Sequence, residues 1–224
     1  MKKIVLLSVA FLMVTGTLFS QNIFFSTKQG QKLLYATMKD NGKVDAYTSQ
    51  TISKVTGSGK NISITYIGQI LDKNKKPVKS NPEVTYTINV IDGVMELDMK
   101  SFATPGTEDL VTISGDKIRF PSTIKPGDKL EDVKMTLTIS MGIKMTTDIA
   151  ITQRACIAIE DVTVPAGKFK CIKLTETIST TFMRQTTEMK MSTWYALGVG
   201  IVKTDIHDSK GKLMSSQVLE SISK

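Results

Sequence analysis

From Val133 to Met145 every odd position is apolar and every even position is polar or glycine, so Met135, Leu137, Ile139 and Met141 share one side. A period of two sends successive side chains to opposite faces of a pleated strand, and a run this regular is a strand with one dry and one wet face. Glu83 to Val90 repeats the pattern with apolar even positions, and Asn61 to Ile70 and Met95 to Met99 follow it more loosely. The chain lacks a helical period. Strands solvated on one face belong to antiparallel sheet.

The punctuation agrees. Asp40-Asn41-Gly42-Lys43, Ile91-Asp92-Gly93-Val94 and Ser114-Gly115-Asp116-Lys117 each place Gly or Asn between apolar runs, where a tight turn needs positive φ. Lys125-Pro126-Gly127-Asp128, Val164-Pro165-Ala166-Gly167 and Asp208 to Lys212 read as further turns, and Ser101 to Glu108 as the most mobile loop. Turns this frequent leave room mainly for hairpins. About ten strands in one sheet must curl to cover their apolar face. The expected fold is all-β: an antiparallel, mostly up-and-down meander forming an open or closed barrel, with a β-sandwich as the alternative.

Met1-Lys2-Lys3, the uncharged run Ile4 to Val14 and then Thr15-Gly16-Thr17 have the layout of a secretory signal peptide. Residues 1–20 are read as that signal and 21–224 as one domain, exported to the periplasm or the extracellular space. The apolar run is short of the roughly 20 residues of a membrane span, and no second long apolar run follows. The formal net charge is +8, two of those charges being Lys2 and Lys3. A modest spread-out excess of this kind reads as a solvated basic surface. No basic cluster with interleaved aromatics appears, which argues against a nucleic-acid partner.

Catalytic signals are missing. No GxSxG, HExxH, Walker-type or dinucleotide glycine motif occurs. The single histidine, His207, lies beside Asp205 and Asp208 ahead of a turn and reads as a solvated residue. The carboxylates Asp92, Asp116, Asp128, Glu131 and Asp132 sit near turns. No catalytic, metal-binding or cofactor-binding residue is assigned, no cofactor is expected, and the chain is not expected to be an enzyme.

Cys156 and Cys171 flank the Val164–Gly167 turn. If that turn closes a tight hairpin, counting outward sets Cys171 opposite Glu160 and Cys156 opposite the region of Thr175. The two cysteines then lie about 13 Å apart along the ladder, beyond the roughly 7 Å between Cα atoms that a disulfide tolerates. A bridge requires a bulge or a longer loop to change the register; otherwise both are buried thiols. The methionines Met135, Met141 and Met145, like Met183, Met189 and Met191, either fill a core or, with Leu137 and Ile139, line an adaptable apolar cavity.

Two motifs stand out in the last third: Val164-Pro165-Ala166-Gly167-Lys168-Phe169-Lys170-Cys171 and Trp194-Tyr195-Ala196-Leu197-Gly198-Val199-Gly200-Ile201-Val202-Lys203. Together with Phe24-Phe25-Ser26-Thr27-Lys28-Gln29-Gly30, Tyr35 and Gly211-Lys212-Leu213, they resemble the TapB-like family of exported bacterial proteins, a 3108-like domain of unknown function. The family's opening segment would carry Pro where this chain has Ser26. The resemblance implies antiparallel β-structure exported by bacteria of the Bacteroidetes type, and no activity. Its motif residues Pro165, Gly167, Phe169, Cys171, Trp194, Tyr195, Gly198, Gly200 and Lys203 have structural explanations: Gly167 for positive φ with Phe169 packed back over it, Trp194 and Tyr195 for half-burial at a sheet edge or barrel seam, Gly198 and Gly200 for a bend or bulge.

Two functional classes stay open. One is a noncatalytic binding module holding a lipid or hydrophobic peptide in a β-barrel cavity. The other is an envelope interaction protein that contacts another component through sheet edges or a basic face. Cavity volume separates them.

Overall fold

A computed structural model describes residues 23–97, 99 and 110–224. The proposed signal peptide and the Ser101 to Glu108 loop fall outside those residues. The described chain forms thirteen strands: β1 (Lys32–Lys39), β2 (Val44–Ser58), β3 (Asn61–Leu71), β4 (Val84–Ile91), β5 (Val94–Leu97), β6 (Val111–Gly115), β7 (Ile118–Pro121), β8 (Val133–Met141), β9 (Ile143–Val164), β10 (Gly167–Phe182), β11 (Gln185–Ala196), β12 (Gly200–Asp208) and β13 (Leu213–Ser223). All join one antiparallel sheet in the order β6-β8-β9-β10-β11-β12-β13-β1-β2-β3-β4-β5-β7. Two meanders, β2 to β5 and β8 to β13, are spliced by β1, which pairs with both β13 and β2. The sheet is barrel-like and not closed.

Local chemistry sets the hairpins. Asp92 and Gly93 have φ of 51° and 82°, the left-handed pair that a two-residue turn matched to strand twist requires. The alternating run Val133 to Met145 proves to be two strands folded at Gly142, not one. Met141 pairs with Ile143 and Ile139 with Met145, so the odd positions keep a common face through the turn. Ser114 to Lys117 departs further from expectation. It closes no hairpin, and β6 and β7 lie at opposite edges of the sheet although only Asp116 and Lys117 separate them. The sheet must therefore curl until its two edges lie within a two-residue link of each other.

Bulges supply the curvature. On β9, Thr152 pairs with Thr177 and Ala155 with Thr175, so Gln153 and Arg154 together oppose Glu176. Four residues on, Ala158 pairs with Lys173 and Cys156 with Leu174, leaving Ile157 extra. Two bulges bend this 22-residue strand sharply.

The main core lies inside the curl and includes Ile52, Ile64, Tyr66, Phe120, Cys156 and Leu174. The segment Ile23 to Phe25 fills one end of it. Gly198 N donates to Ile23 O at 2.8 Å, and the rings of Phe24 and Phe25 lie 5.8 and 6.3 Å from Phe120. Gly200 allows this approach, with Phe25 Cδ1 3.6 Å from where its Cβ would be.

A second cluster gathers Val164, Cys171, Trp194, Ala196 and Leu219. Trp194 and Tyr195 are not at an edge or seam: β11 lies inside the sheet, between β10 and β12. They point to opposite faces, Tyr195 inward and Trp194 outward. The tip of the β9–β10 hairpin runs past the end of β11 and folds over that outer face, where Ala166 N donates to Leu219 O at 3.2 Å. Beneath it Trp194 donates to Glu160, with Lys173 Nζ and Lys203 Nζ 4.6 and 4.8 Å from its ring centroid.

Val164 pairs with Gly167, leaving Pro165-Ala166 as a two-residue loop. Gly167 has φ 136°, and the Phe169 ring comes within 3.7 Å of where its Cβ would be. A β-branched side chain there is strained by the backbone angle alone. Gly167→Val should cost about 1–3 kcal/mol in urea unfolding; an unchanged midpoint would remove this turn geometry from the account.

Candidate functional site

The curl encloses a cavity of about 790 Å³. Its wall follows the period of two: Tyr66, Gly68 and Ile70 from β3, Val84, Tyr86 and Ile88 from β4, and Met191, Thr193 and Tyr195 from β11 all face it. Ladder partners agree, since Met95 pairs with Phe120 and Leu97 with Ile118, and all four line the space. Ile70 and Ser80, which are exposed, and Pro82 beside them mark the mouth.

Most of the wall is apolar, with neutral polar side chains such as Thr48, Gln50, Gln69 and Thr193 among it. Arg154 and Glu176 are the charged side chains among the described lining residues. Arg154 is 3% exposed. Its Nε donates to Glu176 Oε2 at 3.2 Å, Nη1 to Glu131 O at 2.7 Å and Nη2 to Arg119 O at 3.3 Å. The bulge puts it there: Gln153 sits at φ 53°, and its Oε1 accepts from Thr177 Oγ1 at 3.0 Å. Burial raises the Glu176 carboxyl above its ordinary value, and Arg154 opposes that rise.

Four tyrosines join them. Tyr35, Tyr66, Tyr86 and Tyr195 line the cavity from β1, β3, β4 and β11. Tyr66 and Tyr86 stack with centroids 5.2 Å apart. Burial pushes all four phenols well above their ordinary acidity range, so they remain neutral. Tyr66 Oη is buried without a hydrogen-bond partner.

The two alternatives for the methionines separate. Met135, Leu137 and Ile139 do not line this cavity, and the Met141 side chain is outside the described set. Strand β8 lies next to the edge, and Val133, Met135 and Ile151 form a small core of their own with Met99, Ile149 and Ile178. Alternation identified the shared face but not which part of the sheet wraps. Of the later methionines, Met191 does line the cavity, while Met183 is 71% exposed at a turn.

The cysteines are free and buried. Cys171 pairs with Glu160 as the count predicts, and the Ile157 bulge shifts Cys156 by one, to Leu174. That change leaves them in separate clusters, Cys156 inside and Cys171 outside, and no disulfide joins them. Burial, helped by Glu160 and Asp161, pushes the Cys171 thiol up to about 11. His207 lies on β12 opposite Lys190, half-buried. Among the described residues no cluster of His, Cys, Asp or Glu has the makings of a metal site.

The remaining motif residues divide between the faces. Pro165, Trp194 and Lys203 border a groove of about 460 Å³ on the outer side, while Tyr195 and Gly200 line the cavity. Gly198 forms the turn between them at φ 69°. Sequence reasoning missed Arg154, Glu176 and the inward tyrosines. Tyr66 and Tyr86 did stand on the expected apolar parity of their strands, but nothing local marks Gln153 as a bulge.

The model of the DUF3108-like family matches residues 28–219. A candidate exported protein of Bacteroides fragilis with a YmcC-like fold superposes with a TM-score of 0.72 at 22% identity, covering 90% of this chain and 99% of that one. A candidate lipoprotein of Parabacteroides distasonis superposes at 0.74 and 21% identity, covering 90% and 98%. No curated protein matches the chain.

A raised carboxyl means that the folded state keeps the Glu176 proton to higher pH than the unfolded chain does. Its contribution to stability is therefore greatest below the ordinary glutamate value, about 4.3, and declines as pH rises through the folded value. The unfolding free energy of the wild type minus that of Glu176→Gln should fall as pH rises across that range. A rise in that signed difference would mean that Arg154 outweighs burial.

Proposed function

This chain belongs to the DUF3108-like family, and on that footing we propose that it is an exported, noncatalytic protein that holds an apolar ligand, a lipid or a hydrophobic peptide, inside its barrel. The cavity is the observation that carries this reading. Its 790 Å³ falls within the roughly 300–1,000 Å³ of small-molecule sites, and its wall is mainly apolar with polar groups set into it. A merely structural barrel of this size would be expected to fill its interior with side chains.

Export is supported by the Lys2-Lys3 start ahead of Ile4 to Val14 and by the fold relatives, one a candidate exported protein and one a candidate lipoprotein. The periplasm or the extracellular space is the proposed location. Absence of catalysis fits the polar groups inside: Arg154 is engaged by Glu176 and two carbonyls, and burial disfavours ionisation of the phenols.

Native mass spectrometry of the protein purified from its own host tests the reading. A co-purifying lipid or hydrophobic peptide released on unfolding is the expected result. A stoichiometric protein partner with no small ligand would favour an envelope interaction role instead.

A further inference from the structure

The polar groups of the cavity restrict what its ligand can be. Four of the chain's five tyrosines converge on it from four different strands, although a core strand position is filled as well by Phe. Each phenol is a neutral donor and acceptor. At Tyr66 the hydroxyl is without a protein partner, in a residue 2% exposed. An orphaned buried hydroxyl is costly and is satisfied only by a partner from outside the protein.

Charge acts in the opposite direction. The Arg154 guanidinium is bonded on all three nitrogens, to Glu176 Oε2, Glu131 O and Arg119 O. Its positive charge is thus balanced by Glu176 at 3.2 Å, and the described lining offers no second cation. A ligand carboxylate entering this wall would be stripped of water beside an existing carboxylate. A hydroxyl or carbonyl oxygen brings no such penalty and can bond to a phenol.

We propose that the cavity selects an uncharged amphiphile, a long apolar chain bearing one hydroxyl or carbonyl oxygen, over the corresponding fatty-acid anion. The selection rests on the apolar-ligand reading above and adds the chemistry of the head group. Glu176 is the specificity-determining residue, and the Tyr66 hydroxyl is the hydrogen-bonding group.

Hexadecanol and palmitate, matched in chain length, provide the test, each titrated against a fluorescent aminoanthracene bound to the purified protein at a pH where palmitate is ionised. Hexadecanol should displace the dye at a concentration about tenfold or more below that needed for palmitate. In Glu176→Gln the removed carboxylate should strengthen palmitate and bring the two within about threefold. Palmitate binding as well as hexadecanol in the wild type, or a gap unchanged in the variant, overturns the selection while leaving the apolar-ligand reading standing. Failure of both compounds to bind, checked by native mass spectrometry, overturns the two together.

Discussion

Arg154 ties the bulged strand β9 to the edge strand β7 across the open side of the curled sheet. Strands β6 and β7 are consecutive in the chain but occupy opposite ends of a thirteen-stranded sheet, so the sheet can exist only if it curls almost shut. No ladder pairs β6 with β7; the Asp116-Lys117 link joins them, and backbone bonds at Gly127, Asp128 and Leu130 hold the segment leading to β8 against β9. To these the Arg154 guanidinium on β9 adds Glu131 O and, across to β7, Arg119 O, while Glu176 balances its charge. Lysine, a point donor, could not span these three partners; the planar fork of arginine can. A buried ion pair of this kind gives modest net stability, because desolvation offsets most of the attraction. Its effect is geometric: it fixes how β7 sits against β9 in the wall of the cavity.

The same bulged strand serves both faces of the sheet. At Gln153 it turns Arg154 inward, and beyond Ile157 it carries the hairpin tip over the outer surface, where Val164 and Pro165 cover Trp194. The Trp-Tyr pair of β11 is placed where these two constructions meet. Trp194 anchors the flap through Glu160 and two lysines, and Tyr195 faces the cavity beside Phe24, Phe25 and Phe120. Disturbing the outer packing therefore bears on the cavity through one strand, with no solvent between.

Much of the ladder was legible in the sequence because alternation and turn chemistry are local. The Pro165-Ala166 loop placed Cys171 opposite Glu160, and the faces of β3, β4 and β8 followed from parity. What was not legible depends on bulges and on curvature. One extra residue at Ile157 moved Cys156 by a position, and a Gln at φ 53° re-aimed Arg154; neither carries a glycine or proline to announce it. The methionine face of β8 followed from parity, but which of its two readings applies, core or cavity wall, depends on how the whole sheet wraps. Tyr35, Tyr66, Tyr86 and Tyr195 are far apart in sequence, and only closure brings them together.

Hydrogen exchange followed by mass spectrometry in Arg154→Lys tests the tie between β9 and β7 most directly. That variant keeps a charge for Glu176 but lacks the fork that reaches across to β7. Exchange should accelerate in β7, whose Arg119 carbonyl the fork holds, while the β12–β13 hairpin is unaffected. Unchanged protection in β7, or a uniform loss across all strands, would contradict an edge strand held in place by this residue.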